Sequence, residues 1–392
     1  MKSMTVKNQD ITKTKIGIVG GGQLGKMMIL EAKRLGFYVT TLDPAKDCPS
    51  HSISDEHIVA GFDDTNAYIE LAAKSDVITY EFEHIHAHML ETLEQEGHTI
   101  YPSVASLKVI QNKYTQNLRL HKNGVPVPRF ALADNVEAIK ELGEREGFGY
   151  PLMLKTTLGG YDGKGNALVE DESCVEEAYR LLGGGRTEIM AEEFIRFEKE
   201  ISIIACRGID GKRVIYPAAE NSHKNSILDV TVVPARVPPE AVVKATEIAH
   251  RVMEIFEGVG TFCVEMFVTE NGDVFVNEVA PRPHNSGHYT IEGCLANQFE
   301  NHIRAITGLP FGCVKLIKPI VMINLLGESN GPSRLIGLDA AYKHPNIHVH
   351  FYGKGESRIG RKMGHITAIG DTVEDALALA EKVRETVSVV GE

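Results

Sequence analysis

From 15 to about 111, short apolar runs alternate with segments whose apolar residues recur every three or four positions. KIGIVG, FYVTTLD, DVITYEF and TIYP read as strands, and 23–35, 64–74 and 88–96 read as helices. Such alternation predicts a parallel sheet with helices on both faces. Two prolines in NGVPVPRF then break the rhythm and mark a linker.

Beyond it the pattern changes. Helical EAIKELGERE precedes the strand PLMLK, a glycine-rich loop, a strand near ALVE and a helix over 173–182. The runs TEIMAEEFI, KEISIIACR, RVIYPAAE and ILDVTVVPA are strand-like, and PPEAVVKATEIAHRVMEIFE is a long helix leading into a hairpin. These features predict antiparallel α+β structure. After about 314 come KPIVMINLLG, IHVHFYGK, MGHITAIG and a last helix opened by Asp371, with Glu374 three residues on as a capping box. The expected organisation is an N-terminal α/β unit at 1–111, a central unit at 112–313 with a lid at about 125–195, and a C-terminal unit at 314–392.

Composition narrows the function. The 392 residues are 43% hydrophobic and 24% charged, as in an ordinary globular protein, and the net charge of −12 argues against a nucleic-acid surface. Basic clusters should therefore be local and serve a small anion. The six cysteines form no C-x-x-C pair, which predicts buried free thiols. MKSMTVKNQDITKTK lacks an apolar core, and no apolar run is long enough for a bilayer, so a cytoplasmic enzyme is expected.

Two glycine motifs suggest phosphate. GGGQLG at 20–25 follows a strand, opens a helix and satisfies G-x-G-x-x-G, with Asp43 ending the next strand. That is the fingerprint of a nicotinamide cofactor site, but the same glycines serve any phosphate at a helix N-terminus, or simply close helix–strand packing. GGYDGKG at 159–165 is not a P-loop, because the spacing is short and Gly165 stands where a hydroxyl is needed. It reads either as a mobile backbone cradle for phosphate or as a hairpin tip.

The hairpin FCVEMFVTENGDVFVNEVA at 262–280 decides between them. Asn271-Gly272 predicts a two-residue turn, which pairs Phe267 with Val276 and Glu265 with Glu278. Directly opposed side chains lie roughly 4.5–5.5 Å apart, and like charges there repel. The glutamates either occupy a solvated face or hold a cation; because Phe267 and Val276 would share that face, Mg²⁺ bound through carboxylates and nucleotide phosphates is favoured. Ideal alternation sends Asn277 to the face opposite Glu278. Lys155 and Lys164 would supply cations for phosphate, AEEFI at 191–195 a backbone edge and apolar contact for adenine, and Glu200 a partner for ribose. His84, His86 and His88 alternate without a fourth metal ligand nearby.

GGGQLGKM, YEFEHI, KTTLGGYDGKG, EEFI, NEVAPRPHNSGH and GRKMGH together resemble the N5-carboxyaminoimidazole ribonucleotide synthetase family of the ATP-grasp superfamily, from about residue 15 to the end. The resemblance implies the ATP-grasp fold with a Rossmann-like N-terminal sheet. It also implies a homodimer and an ATP- and Mg²⁺-dependent carboxylation of 5-aminoimidazole ribonucleotide by bicarbonate, through carboxyphosphate, in purine biosynthesis. The implied nucleotide contacts are Lys113, Lys155, Gly160, Tyr161, Asp162, Gly163, Lys164, Gly165, Asn166, Glu192, Glu193, Phe194, Ile195, Glu200, His223, Asn277 and Glu278, with Glu265 and Glu278 on the metal. Chemistry would fall to Asp162, Lys164, Arg282 and Lys354. The ribonucleotide would meet Gly22, Gln23, Leu24, Tyr80, Glu81, His284, Asn285, Lys354, Arg361 and Lys362, with the glycine turn helping to seat its phosphate. The sequence departs from the family pattern at Lys113, where several members carry Arg, and at Ala280, where many ATP-grasp enzymes carry Asn. The competing readings are a formate-dependent glycinamide ribonucleotide transformylase on the same fold, an NAD-dependent dehydrogenase, and a module that binds nucleotide without reaction.

Overall fold

The structure is a computed structural model that describes residues 13–133, 135–145, 148–160 and 163–392. Its N-terminal part is a four-stranded parallel sheet in the order β3-β2-β1-β4, built from β1 (Lys15–Val19), β2 (Tyr38–Leu42), β3 (Glu56–Ile58) and β4 (Val77–Tyr80). Helices α1 (Gln23–Arg34), between β1 and β2, α2 (Thr65–Ala73), between β3 and β4, and α3 (Ala87–Gln95), after β4, lie where the alternation predicts them, whereas the short β3 is not foreseen. TIYP contributes only an isolated parallel bridge, Ile100 to Ile78. Two helices that the sequence pattern does not reveal follow, α4 (Val104–Gln111) and α5 (Lys113–Lys122). Asn112 separates them: its backbone is extended, and its side chain accepts from Thr115 N–H as the N-cap of α5.

The next segment is a separate antiparallel sheet in the order β5-β8-β6-β7: β5 (Phe130–Leu132), β6 (Leu152–Thr156), β7 (Asn166–Val169) and β8 (Ile189–Glu193). Helices α6 (Val136–Glu144) and α7 (Val175–Leu181) cover its apolar face, where Leu152, Leu154, Val169 and Val175 are fully buried. The glycine loop joins β6 to β7 at one end of this sheet.

A nine-stranded sheet forms the centre. It contains β9 (Lys199–Arg207), β10 (Arg213–Ile215), β11 (Ala219–Lys224), β12 (Ile227–Val233), β13 (Gly260–Val268) and β14 (Val274–Ala280). Helix α8 (Pro239–Phe256) packs its Ala241, Ala245, Ile248, Ala249, Val252, Met253 and Phe256 face against β9 and β13. The short α9 (Thr290–Gly293) and α10 (Gln298–Thr307) follow β14. Burial of an i, i+3, i+4 stripe of this length supplies most of the free energy that holds such a helix in place.

The C-terminal residues do not build a wholly separate sheet. β15 (Ile320–Leu326) pairs with β12, so β15, β17 (Ile347–Phe351) and β19 (Lys362–Ile369) extend the central sheet across the expected boundary near 313. β16 (Gly331–Ile336), β18 (Glu356–Ser357) and β20 (Ser388–Gly391) form a small sheet, while α11 (Leu338–Ala341) packs on β17 and α12 (Val373–Arg384) on β15 and β19 of the central sheet. The capping box of α12 is Thr372 with Asp375, one residue later than expected: the extended Thr372 accepts the Asp375 N–H and donates its own N–H to the Asp375 carboxylate. No described helix is long and apolar enough to cross a membrane. All six cysteines are free thiols, but Cys313 is exposed and Cys174 only half-buried, contrary to the expectation of uniform burial.

The hairpin of β13 and β14 differs from the expected one in an informative way. Gly272 N–H donates to Thr269 O at 2.8 Å, and Thr269 N–H to Asp273 O at 2.9 Å. With Gly272 at φ +74°, this is a three-residue loop closed by a left-handed glycine. Phe267 therefore pairs with Phe275, while Val276 pairs with Met266 and lies in the core. A bulge at Asn277 then absorbs the one-residue slip and returns Glu265 to face Glu278.

Candidate active site

A cleft of about 1110 Å³ lies between the three parts of the molecule, lined by residues from α1 to β19. Its floor is the β13–β14 ribbon. Because the bulge turns two consecutive residues toward the same face, Asn277 and Glu278 both line the cleft, where ideal alternation separates them. Asn277 Oδ1 accepts from Lys155 Nζ at 3.1 Å, and Glu278 accepts from Lys113 Nζ at 3.0 Å. Burial and the facing Glu278 charge push Glu265 up to about 7. Two facing carboxylates, whose mutual repulsion a cation would relieve, form an oxygen donor set suited to a hard divalent cation.

At one end the cleft is apolar. Met153, Ile201, Leu228, Met266 and the stacked Phe197–Phe267 pair, with centroids 4.6 Å apart, surround the segment where the β8 ladder ends at Glu193 and Phe194–Ile195 continue unpaired in the sheet. The Glu192 carboxylate is not free for a ligand. It takes Lys155 Nζ at 2.6 Å and Asn117 Nδ2 at 2.8 Å, and it is buried. Glu200 is ion-paired with His223; burial opposes the imidazolium, but the Glu200 hydrogen bond and charge raise the His223 pKa overall.

Above the floor, the glycine loop folds back on itself. Thr156 N–H donates to Gly165 O at 2.8 Å, and Gly159, Gly163 and Gly165 have positive φ. A Cβ at Gly163 would run into Ser226, in the turn between β11 and β12, so the loop tip sits close against that hairpin. Gly160, Gly163, Lys164 and Asn166 line the cleft. Tyr161 and Asp162 lie outside the described residues.

The opposite end is polar. Arg282 Nη2 donates to Glu83 Oε1 at 2.9 Å, Nε pairs with Glu83 Oε2, and Nη1 reaches Pro283 O at 3.1 Å. Burial alone would raise the Glu83 pKa, but the Arg282 charge and hydrogen bonds bring it down to about 2. Burial, followed by the Arg282 and Lys362 charges, drives the His284 pKa well below its ordinary value, so its ring is neutral. Asn285 lines the cleft with both amide atoms buried and without a hydrogen-bond partner among the described residues. Lys354, Arg358, Arg361 and Lys362 complete a basic wall; Lys354 Nζ donates to Lys362 O at 2.7 Å, and Arg361 Nη1 to Glu356 O at 2.7 Å.

The glycine turn at 20–25 has a different job from the one expected. Gly22 N–H donates to Glu81 Oε1 at 2.5 Å, Gly25 N–H to Glu81 Oε2 at 2.7 Å and Gly21 N–H to Asp43 Oδ2 at 2.8 Å. A Cβ at Gly20 or Gly22 would strike Glu81. The glycines admit a carboxylate from the chain itself, which takes the place a dinucleotide or ribonucleotide phosphate would need at these N–H groups. This removes the structural basis of the dehydrogenase reading. Gln23, Leu24 and Glu81 nevertheless line the cleft. Tyr80 does not; it is 0% exposed and packs in the N-terminal core, because β4 is buried along its whole length. Sequence reasoning gave no role to Glu83, Asn117 or Phe197. The second acid of YEFEHI, two residues after Glu81, was the available signal for Glu83.

Three family models match the chain: a ribonucleotide synthetase preATP-grasp domain over 13–111, an ATP-grasp domain over 118–299 and a phosphoribosylaminoimidazole carboxylase C-terminal domain over 320–379. The N5-carboxyaminoimidazole ribonucleotide synthase of Staphylococcus aureus is 41% identical over 362 residues, which cover 91% of this chain and 93% of that protein. The crystal structure of N5-carboxyaminoimidazole ribonucleotide synthetase from Thermotoga maritima is similar with a TM-score of 0.87 at 44% identity, covering 97% of this chain and 100% of that one. The Aspergillus clavatus enzyme in complex with ADP and 5-aminoimidazole ribonucleotide has a TM-score of 0.87 at 33% identity, covering 96% and 99%.

Proposed function

The chain belongs to the N5-carboxyaminoimidazole ribonucleotide synthase family of ATP-grasp ligases, and from that membership we propose how its own residues divide the reaction. The enzyme carboxylates 5-aminoimidazole ribonucleotide with bicarbonate at the expense of ATP, for purine biosynthesis. A bicarbonate oxygen attacks the γ-phosphorus, ADP leaves, and carboxyphosphate forms. The exocyclic amine nitrogen then bonds to the carboxyl carbon, directly or after CO₂ departs from phosphate. The nitrogen loses one proton, and the carbamate and inorganic phosphate are the products.

One observation carries this division: Glu265 and Glu278 face each other between the apolar pocket at Phe267 and the Arg282 end of one continuous cleft. Lys113 and Lys155 reach that midpoint from α5 and β6, so phosphates can lie along the floor with the base among Met153, Phe194, Ile195 and Phe197. The edge of Phe194–Ile195 supplies backbone groups for adenine, and Glu193, Glu200 and His223 stand where the ribose would meet them. Lys164 and the Gly160–Asn166 loop cover the phosphates and exclude water. Glu265 and Glu278 would hold a magnesium ion, which would supply positive charge to the transferring phosphoryl group.

At the other end Arg282, oriented by Glu83, offers its remaining N–H groups to bicarbonate; a guanidinium fork suits a planar oxyanion. Neutral His284, the unpartnered Asn285 amide, Gln23, Leu24 and Glu81 face the ribonucleotide. Gly22 contributes by holding Glu81. Lys354, Arg361 and Lys362 receive the phosphate and the developing carboxylate. We assign Asp162 to orientation of the amine. Functional units at 1–111, 112–313 and 314–392, a homodimer and a cytoplasmic location complete the proposal.

The test is the substrate dependence of ADP formation. Both 5-aminoimidazole ribonucleotide and bicarbonate should be required, and Glu278→Gln should abolish turnover without unfolding the protein. ADP formation driven by formate and glycinamide ribonucleotide instead would replace this reading with the transformylase.

A further inference from the structure

Cys263 and Glu265 are two residues apart on β13, so their side chains leave the same face of the ribbon. His284 arrives on that face from the segment after β14. One ligand atom from each of the three, a thiol sulfur, a carboxylate oxygen and a ring nitrogen, lies within 4.8 Å of the others, the one such group found among the described residues. His284 Nε2 stands 3.6 Å from Glu265 Oε1. The ring is held from its other side, where Nδ1 meets Ser286 Oγ at 2.9 Å, and Ser286 Oγ in turn accepts from Ser202 Oγ at 2.8 Å. A backing contact of this kind fixes ring orientation in metal sites.

The donor set is wrong for magnesium, which selects oxygen. One sulfur, one nitrogen and one oxygen, with room for a fourth ligand from the cleft, match a borderline-soft ion of tetrahedral preference. Glu265 and His284 line the cleft, so an ion can reach the cluster from solvent, whereas Cys263 sits fully buried behind them as the innermost ligand. We propose that Cys263, Glu265 and His284 form a Zn²⁺ site that shares Glu265 with the magnesium position, so that zinc inhibits the enzyme by withdrawing a ligand from the nucleotide-bound metal. Coordination needs no redox partner: the Cys263 S–H bond gives its proton to solvent as the sulfur–zinc bond forms.

The inference goes beyond the proposed reaction, and its first readout needs no turnover. The full chain is titrated with Co²⁺ as a spectroscopic substitute for Zn²⁺, and sulfur-to-cobalt charge-transfer absorption is followed, then bleached with Zn²⁺. The band should appear in wild type, vanish in Cys263→Ala and Cys263→Ser, and persist in Cys174→Ser and Cys313→Ser. In parallel, Zn²⁺ inhibition of ADP formation at saturating magnesium and ATP should weaken at least about tenfold in the Cys263 variants, the scale expected for a lost metal-site group. Turnover without zinc should stay near wild type in Cys263→Ser, which keeps the side-chain size should the alanine variant fold poorly. A band that survives loss of Cys263, a band that follows Cys313 instead, or unchanged zinc inhibition would each overturn the site.

Discussion

Glu83 and Arg282 stand 199 residues apart in the sequence and share a two-armed ion pair in the fold. β4 delivers the first from the N-terminal sheet and the end of β14 the second, so the pair fixes one guanidinium edge across the junction of two units. An arginine held this way reaches an oxyanion without reorganising, which is what a positioning carboxylate contributes. Glu83→Gln keeps the size and a hydrogen-bond acceptor but removes the charge. Its kcat/KM for bicarbonate should fall about 10²-fold, the usual scale for a misplaced reacting group, while the KM for ATP stays near wild type. Unchanged bicarbonate kinetics would detach Glu83 from the site.

Glu265 and Glu278 allow a sharper separation. If both hold the metal, Glu265→Gln and Glu278→Gln should each raise the magnesium concentration needed for half-maximal binding of ATP. Only Glu278→Gln should also disturb Lys113, whose charged form is opposed by burial but favoured overall by the Glu278 carboxylate. Circular dichroism should show both variants folded. Magnesium titrations that superimpose on wild type would break the metal assignment.

How this floor was legible, and where it was not, is a matter of bulges. The opposed glutamates follow from the sequence even though the turn type does not. The three-residue loop shifts the ladder by one, and the extra residue at Asn277 shifts it back. Local pattern cannot show a bulge, because the bulged residue is chosen by what it faces, here Lys155 from another sheet. The parallel N-terminal sheet and the long helix α8 were readable because each buries a regular stripe. Helices α4 and α5 were not, since the polar α5 face, with Gln116 and Asn117 buried against the site, breaks the apolar period. GGGQLG misled for a related reason: glycine reports that something approaches closely, not whether it is a ligand or Glu81.

His302 gives a pH signature of folding. It is fully buried between β4 and β13, its Nε2 meets Thr79 Oγ1 at 2.9 Å, and its Nδ1 accepts Thr261 N–H at 3.1 Å. Burial lowers its pKa from 6.5 to about 3. Above about 6.5 both folded and unfolded states are neutral and the stability is fully present. As pH falls toward about 3 the unfolded chain takes a proton that the folded one refuses, so stability is lost at about 1.4 kcal/mol per pH unit, or roughly 2 kcal/mol by pH 5. His284, His288 and His365 are shifted in the same direction by burial and steepen the same slope. Urea midpoints measured from pH 7 to pH 5 should fall, and His302→Gln, whatever its stability at pH 7, should fall less steeply by one proton. Parallel slopes would show that His302 is protonated in the fold.

The buried pair Lys155–Glu192 links stability to nucleotide binding. Lys155 cannot both remain satisfied by Glu192 and serve ATP unless the phosphates add to its existing partners, Glu192 Oε2 at 2.6 Å and Asn277 Oδ1 at 3.1 Å. Removing one member of a buried pair costs about 3–5 kcal/mol, because the other charge is left uncompensated. In Glu192→Gln the amide still accepts from Asn117, so the loss falls on Lys155. The free variant should therefore melt well below wild type. Saturating ATP should raise its Tm by more than it raises that of wild type, because an incoming phosphate neutralises a lysine that the wild-type protein already neutralises. Equal nucleotide-induced shifts would mean that ATP does not contact Lys155, and that the lysine serves only the packing of β6 on β8.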